Sequence, residues 1–286
     1  MGPRYRAGMN KTVLITGCRS GFGKLAALEC ARRGNTVYAG LRDLSTADPL
    51  IAEAGDLPVI PVQLDVTSAA DREQVVARIL AERGRIDALV NNAGVALGGY
   101  VEQVDEDEVR RVFEVNVIAV WALTKAVLPA MRQQRAGSVV MVGSVSGRLA
   151  LPGLGIYAAS KHALEGMSEA LRHEVAPFGV LVTLVEPGPY KTDILGRNRT
   201  LSRNAGAEGS PYAAYTAKAE QLFDTIAESG AGDPQDVANK IADLAQASSA
   251  GLRHPMGGSA RVRILMKDHG PFALLEWAIG KATRPA

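Results

Sequence analysis

A tyrosine followed four residues later by a lysine, Tyr157 and Lys161 in YAASK, could move a proton in this 286-residue sequence. A phenol alone is a poor acid or base near neutrality, its unperturbed pKa being about 10. On a helix the lysine lies one turn on and on the same face, where its charge favours the phenolate and brings Tyr157 toward working pH. Ser144 offers a hydroxyl to a developing oxyanion, with Ser146 as its competitor. Asn116 is an amide within an apolar helical stretch and needs a partner. Taken singly, each has a plainer reading: packing for the tyrosine, a solvated charge for the lysine, a kink for the asparagine.

A second stretch, TGCRSGFG at 16–23, could seat a phosphate. It follows the apolar run Val13-Leu14-Ile15 and precedes a helical pattern. Gly17 permits the tight turn, Gly21 lets backbone approach a pyrophosphate, and Gly23 lets the helix pack on the strand. The helix start adds free N–H groups and a positive dipole end. The spacing is G-x3-G-x-G, and by itself an ordinary strand-to-helix turn reads the same way.

These residues need a scaffold. Short, nearly all-apolar runs predict strands at 13–16, 37–40, 59–64, 88–91, 138–143 and 181–186, the pattern of parallel strands buried on both faces. Between them, 3.6-residue periodicity predicts helices at 22–33, 69–83, 105–135, 157–177 and 234–246. The alternation gives one α/β domain over 11–286, a doubly wound, Rossmann-like parallel sheet with helices on both faces. The stretch from 190 to about 215, poor in large apolar groups, reads as a substrate lid. A short helix at 271–280 would cap the core with Phe272, Leu274, Leu275 and Trp277, while residues 1–10 read as a disordered or tag-like terminus.

Composition, 47% hydrophobic and 22% charged with a net charge of +2, argues against disorder and offers no reason for a nucleic-acid or anionic-membrane partner. Cys18 and Cys30 are too few and too local for a disulfide framework, and the four histidines form no ligand-spaced cluster, so no metal site is expected. The start has no signal-like apolar region, and no uninterrupted apolar run reaches the ~18 residues of a membrane span. The expectation is a cytoplasmic protein without an integral membrane segment.

Taken in order, TGCRSGFG, LDVT at 64–67, NNAG at 91–94, Asn116 in VNVIAV, Ser144 in VGSVSG, the Tyr157/Lys161 pair and PGPYKT at 187–192 resemble the classical short-chain dehydrogenase/reductase family over roughly residues 11–255. TVYAGLRDLS and the cysteine in the glycine turn look most like its 17β-hydroxysteroid and retinol dehydrogenase branch. The resemblance implies hydride transfer between a nicotinamide dinucleotide and a carbonyl or alcohol, with Tyr157 as general acid/base. It gives Lys161 a bond to the nicotinamide ribose, Ser144 the task of orienting the carbonyl and Asn116 a relay water. Dinucleotide contacts are implied for the turn residues Gly17, Arg19, Ser20, Gly21, Phe22 and Gly23. Asp65, Val66, Asn92, Ala93 and Gly94 would border the adenosine, and Pro187, Gly188 and Thr192 the carboxamide. Val95, Leu149, Leu151 and Leu154, with Ser144 and Tyr157, would line the substrate pocket. Family members usually pair through the helices at 105–135 and 157–177, so a homodimer or homotetramer is expected.

An NAD site generally ends its second strand with a carboxylate on the ribose hydroxyls, whereas an NADP site offers arginine to the 2′-phosphate. Here that strand ends Gly40-Leu41-Arg42, and Arg19 stands in the glycine turn. Guanidinium groups suit phosphate, so NADP(H) is favoured, NAD(H) remaining possible. The expected activity is NADPH-dependent reduction of a fairly apolar ketone or aldehyde. The alternatives are an NAD-linked oxidising dehydrogenase and a non-catalytic nucleotide sensor on the same fold.

Overall fold

A computed structural model describes residues 4–5, 10–190, 199–229 and 232–284. Seven strands, β1 (Thr12–Thr16), β2 (Thr36–Leu41), β3 (Val59–Gln63), β4 (Ala88–Asn91), β5 (Gly137–Val142), β6 (Val180–Pro187) and β7 (Arg253–Met256), form one parallel sheet in the order β3-β2-β1-β4-β5-β6-β7. All residues of β1 and β2 are buried, as the unbroken apolar runs require. The strand order reverses direction between β1 and β4, and open α/β sheets bind ligands outside the carboxyl ends of the strands at such a point.

Helices cover both faces. On one, α1 (Gly21–Arg32), the short α2 (Asp48–Ala54) and α8 (Pro234–Gln246) bury Leu28, Leu50 and Ile241 against Ile15 and Val90. On the other, α3 (Ala69–Arg83), α5 (Ala119–Gln134) and α6 (Gly155–Val175) bury Ile79, Leu123 and Leu164 against Leu14 and Leu89. The doubly wound architecture expected from the alternation is the one observed.

The structure differs from the sequence reading at several elements. The helix expected over 105–135 is α4 (Glu106–Phe113), one wide π turn (Glu114–Ile118) and then α5. Residues 106–134 together are long and apolar enough to cross a membrane on length and composition, but Leu123, Val127 and Met131 are fully buried beside the sheet. The seventh strand, RHPM, lacks an apolar run; its Pro255 is tolerated because β7 is the sheet edge. Within the expected lid, Arg199–Leu201 pairs in parallel with Ala96–Gly98, and α7 begins at Ala213 and runs to Ser229. Two C-terminal helices follow, α9 (Gly258–His269) and α10 (Phe272–Thr283). On α10 Leu275 is buried but Leu274 and Trp277 are exposed, so they do not cap the core. Within residues 1–10, Arg4–Tyr5 pairs antiparallel with Ala247–Ser249.

Candidate active site

The glycine turn leaves β1 and enters α1 at the switch point. Gly17 has φ +71°, a conformation that L side chains rarely adopt, and a side chain there would also meet Ala93. Gly23 is required by approach: a Cβ on it would lie 2.4 Å from the Gly17 carbonyl oxygen and 2.4 Å from Asn92 Nδ2. Asn92 Nδ2 donates to the carbonyls of Thr16 and Gly17 at 2.8 and 3.2 Å, and the Asn92 and Ala93 amides both donate to Thr16 Oγ1 at 2.9 Å. NNAG thus clamps the turn from the neighbouring strand. Ser20, at the N-cap of α1, makes no side-chain capping bond, and Gly21 opens the helix. A helix N-terminus behind a close-packed glycine turn fits a dinucleotide pyrophosphate.

Four residues converge beyond the ends of β4 and β5. Asn116, fully buried in the π turn, grips Val95 from both sides: Oδ1 accepts from Val95 N and Nδ2 donates to Val95 O, each at 2.9 Å. Its other amide hydrogen goes to Ser160 Oγ at 3.0 Å. Lys161 Nζ donates to the Val142 carbonyl at 3.0 Å and lies 5.8 Å from the Tyr157 ring centroid. A Cβ on Gly94 would stand 3.3 Å from Asn116 Oδ1 and 3.7 Å from Lys161 Nζ. Ser144 caps the short turn at 145–147, its Oγ accepting from Ser146 N at 3.1 Å. Of the two serines, Ser144 is the one whose hydroxyl bears on Tyr157.

The electrostatics run against the simplest sequence expectation. Burial pushes the Tyr157 phenol up to about 12, the Ser144 hydroxyl pulling the other way, and burial pushes Lys161 down to about 8. Both side chains are only 4% exposed, and removing either charge from water disfavours it. Lys161, bonded to a carbonyl and a helical turn from the ring, does not by itself bring the phenol toward neutrality.

The family model described as short chain dehydrogenase matches residues 11–225. The chain belongs to the short-chain dehydrogenase family. It is 37% identical over 283 residues to the uncharacterized oxidoreductase YusZ of Bacillus subtilis, covering 96% of this chain and 99% of that one. It is 36% identical over 255 residues to human 17-beta-hydroxysteroid dehydrogenase type 1, covering 85% of this chain and 76% of the human one. A solved short-chain dehydrogenase from Streptomyces avermitilis superposes with a TM-score of 0.81 at 36% identity, covering 96% of this chain and all of that one. Enzymes of this family are oxidoreductases that use NAD(P)(H) on small-molecule substrates.

At the adenosine side of this short-chain dehydrogenase, the Cys18 amide donates to the Gly40 carbonyl at 3.0 Å, which sets the glycine turn against the end of β2. Arg19 and Arg42 flank that bond, both exposed and without an ion pair among the described residues. The Asp43 carboxylate does not pair with Arg42; it accepts from the Ser45 amide at 2.9 Å. Asp65 accepts from the amide and hydroxyl of Thr67 at 2.9 and 2.7 Å, holding the turn that contains Val66.

At the opposite side, Pro187 ends β6 and the Gly188 amide donates to Met256 O at 3.0 Å. Thr192 lies outside the described residues. Phe22 from the glycine turn meets Tyr190 edge-on, ring centroids 5.6 Å apart, so PGPY closes on α1. Leu154 and Leu151 pack with Ala219 of α7, a residue for which the sequence offered no motif, and Leu149 is buried nearby in the chain. Arg199 and Arg203, on the stretch expected as a lid, are engaged by Glu220 and by Asp105 with Asp107. Among the described residues no cluster of three potential metal ligands occurs.

Proposed function

We propose that the protein is an NADPH-dependent carbonyl reductase, reversible, acting on a fairly apolar ketone or aldehyde. The observation that carries this reading is the buried meeting of Ser144, Tyr157 and Lys161 beside Gly94, at the strand ends next to the glycine turn. When bound, the nicotinamide supplies or accepts the hydride. Tyr157 gives its proton to the carbonyl oxygen in reduction and takes it back in oxidation, while Ser144 donates a hydrogen bond to the same oxygen. Lys161, held by Val142 O, keeps donors for a ribose and a positive charge near the phenol. The Asn116 side chain is committed to Val95 and Ser160, so a relay water at this position would be held by the backbone of the π turn and not by the amide.

NADP(H) is supported by the exposed arginines on either side of the Cys18–Gly40 bond and by the lack of a carboxylate at Gly40 or Leu41. An apolar substrate is supported by Leu151 and Leu154 under α7 and by the kinship to a hydroxysteroid dehydrogenase. A homo-oligomer through α5 and α6 is supported by the exposed Trp121 and a groove of about 660 Å³ that Leu128, Met167 and Phe178 help to line. Cytoplasmic residence is supported by two buried, unpaired cysteines.

The test is oxidation of NADPH against NADH over aromatic, aliphatic and steroid ketones and aldehydes, with Tyr157→Phe as control. Preference for NADPH, lost in the variant, is the expected result. Turnover that favours NADH, or that survives in Tyr157→Phe, contradicts the reading.

A further inference from the structure

Two carboxylates on elements that carry active-site residues, Glu165 and Glu186, lie close enough to act on each other. Glu186 is the last residue of β6 before Pro187, and Glu165 lies on α6 one helical turn after Lys161. Glu186 is fully buried and Glu165 6% exposed. Neither oxygen of Glu186, nor Oε1 of Glu165, has a hydrogen-bond donor. Two arginines hold the rim: Arg253 of β7 donates Nε to Glu165 Oε2 at 2.8 Å and Nη2 to Glu169 at 2.6 Å. Arg148 has Nη1 3.5 Å from Glu186 Oε1 and donates Nη2 to Asp268 at 2.5 Å, while Lys267 caps the Arg148 carbonyl.

Buried carboxylate oxygens without donors are costly, and two adjacent carboxylates cannot both stay charged cheaply. A single proton between them resolves both problems, turning two orphaned acceptors into one O–H···O bond. The pair also sits where three functional segments join. Gly147, three residues after Ser144, packs so closely on α6 that a Cβ would lie 2.9 Å from Lys161 O and 3.2 Å from Glu165 Cγ.

We infer that Glu165 and Glu186 are positioning residues that hold one proton between them, tying together the segments that carry Ser144, Tyr157 with Lys161, and Pro187 with Gly188. Burial, and secondarily the Glu165 carboxylate, pushes Glu186 up to about 7, against the pull of Arg148 and Arg253. A group raised on folding contributes stability that is present below its unfolded pKa and lost as pH rises through the folded value. The positioning role rests on the reading of Ser144, Tyr157 and Lys161 as the reacting groups; the shared proton does not.

The experiment compares wild type, Glu186→Gln and Glu165→Gln; Glu186→Gln keeps a hydrogen-bond donor to Glu165 without the titration, and Glu165→Gln leaves Glu186 to titrate without its carboxylate partner. Melting temperature from pH 5.5 to 8.5 should fall in the wild type relative to Glu186→Gln as pH rises toward about 7 and level off above it, with the fall in Glu165→Gln displaced to lower pH. Parallel wild-type and Glu186→Gln curves, or a Glu165→Gln curve that coincides with the wild type, would overturn the shared proton. The second readout is the Kd for NADPH, followed by its fluorescence, over the same range. It should weaken roughly three- to tenfold above pH 7 in the wild type and not in Glu186→Gln. Divergent melting curves with identical Kd profiles would make the pair structural only and overturn the positioning role. Failure of all three to bind NADPH or NADH would overturn the site reading and that role with it, the melting curves still deciding the proton. If Glu186→Gln fails to fold, the displaced step of Glu165→Gln carries the comparison.

Discussion

Lys161 donates to the Val142 carbonyl across the α6–β5 boundary, at 3.0 Å, so a cation is anchored inside the core rather than at a surface. Burial alone pushes it down to about 8 from an ordinary value of 10.5. For a group depressed on folding, the folded state binds fewer protons than the unfolded state between those two values. Its contribution is present above 10.5 and lost as pH falls through 8. Lys161→Met should therefore melt higher than the wild type at pH 7, by an amount on the order of a few kcal/mol, with the gap closing toward pH 10.5. The same variant should have no measurable carbonyl reduction. Thermal melts at pH 7 and 10 check the sign; a variant less stable than wild type at pH 7 would mean that the Val142 bond outweighs the burial of charge.

Arg19 and Arg42 are held on one ledge by the Cys18–Gly40 hydrogen bond, with no acidic side chain paired to either among the described residues. Charge-assisted bonds to a phosphate contribute roughly 1.5–3 kcal/mol each. Changing both arginines to alanine should raise the KM for NADPH roughly ten- to a hundredfold or more and leave the KM for NADH nearly unchanged. Equal effects on the two nucleotides would remove the ledge from cofactor selection.

The glycine turn offers a test of close packing against flexibility. Gly23→Ala would drive a Cβ into backbone 2.4 Å away, so either α1 or the Asn92 clamp must shift. A loss of roughly 1–3 kcal/mol is expected, with weaker nucleotide binding. Gly166, exposed on α6 with open space around its Cβ position, is the control: Gly166→Ala should gain up to about 1 kcal/mol through helix propensity. Chemical denaturation of both measures the contrast directly.

Strands β1, β2, β4, β5 and β6 were legible because parallel strands buried on both faces must be largely apolar, and their runs stand out from the charged helices between them. β3, half-buried at the other sheet edge, was legible from its run Val59-Ile60-Pro61-Val62. The glycine turn, NNAG and PGPY were legible because each joins a strand end to a turn, and Tyr157 with Lys161 because four-residue spacing puts them on one face of a helix. β7 was not, since an edge strand carrying Arg253 and Pro255 has no such run. The π turn at Asn116 was hidden because a single extra residue only shifts the phase of the apolar pattern once within a long helix, and the backbone hydrogen bonds over Glu114–Ile118 reveal it. The rise of Tyr157 to about 12 was also invisible: spacing places a lysine near a phenol but says nothing of how dry both are. Glu165 and Glu186, 21 positions apart in the sequence, meet only through the packing of α6 on β6.

Trp121 sits on the outer face of α5, 51% exposed, with Lys125 Nζ 5.1 Å above its ring. An indole left half in water beside a groove lined by Leu128, Met167 and Phe178 is poorly accounted for by the monomer. In an interface a buried tryptophan is among the residues whose loss weakens association most, by 2 kcal/mol or more. The proposed homo-oligomer predicts a wild type heavier than one chain in light scattering at micromolar concentration and a monomeric Trp121→Glu, a shift in Kd of roughly thirtyfold or more. Because the side chain lies outside the cores on both faces of the sheet, far-ultraviolet dichroism of the variant should match the wild type. A monomeric wild type would overturn the proposed oligomer, and an oligomeric wild type whose mass Trp121→Glu leaves unchanged would place the subunit contact on another face of the molecule.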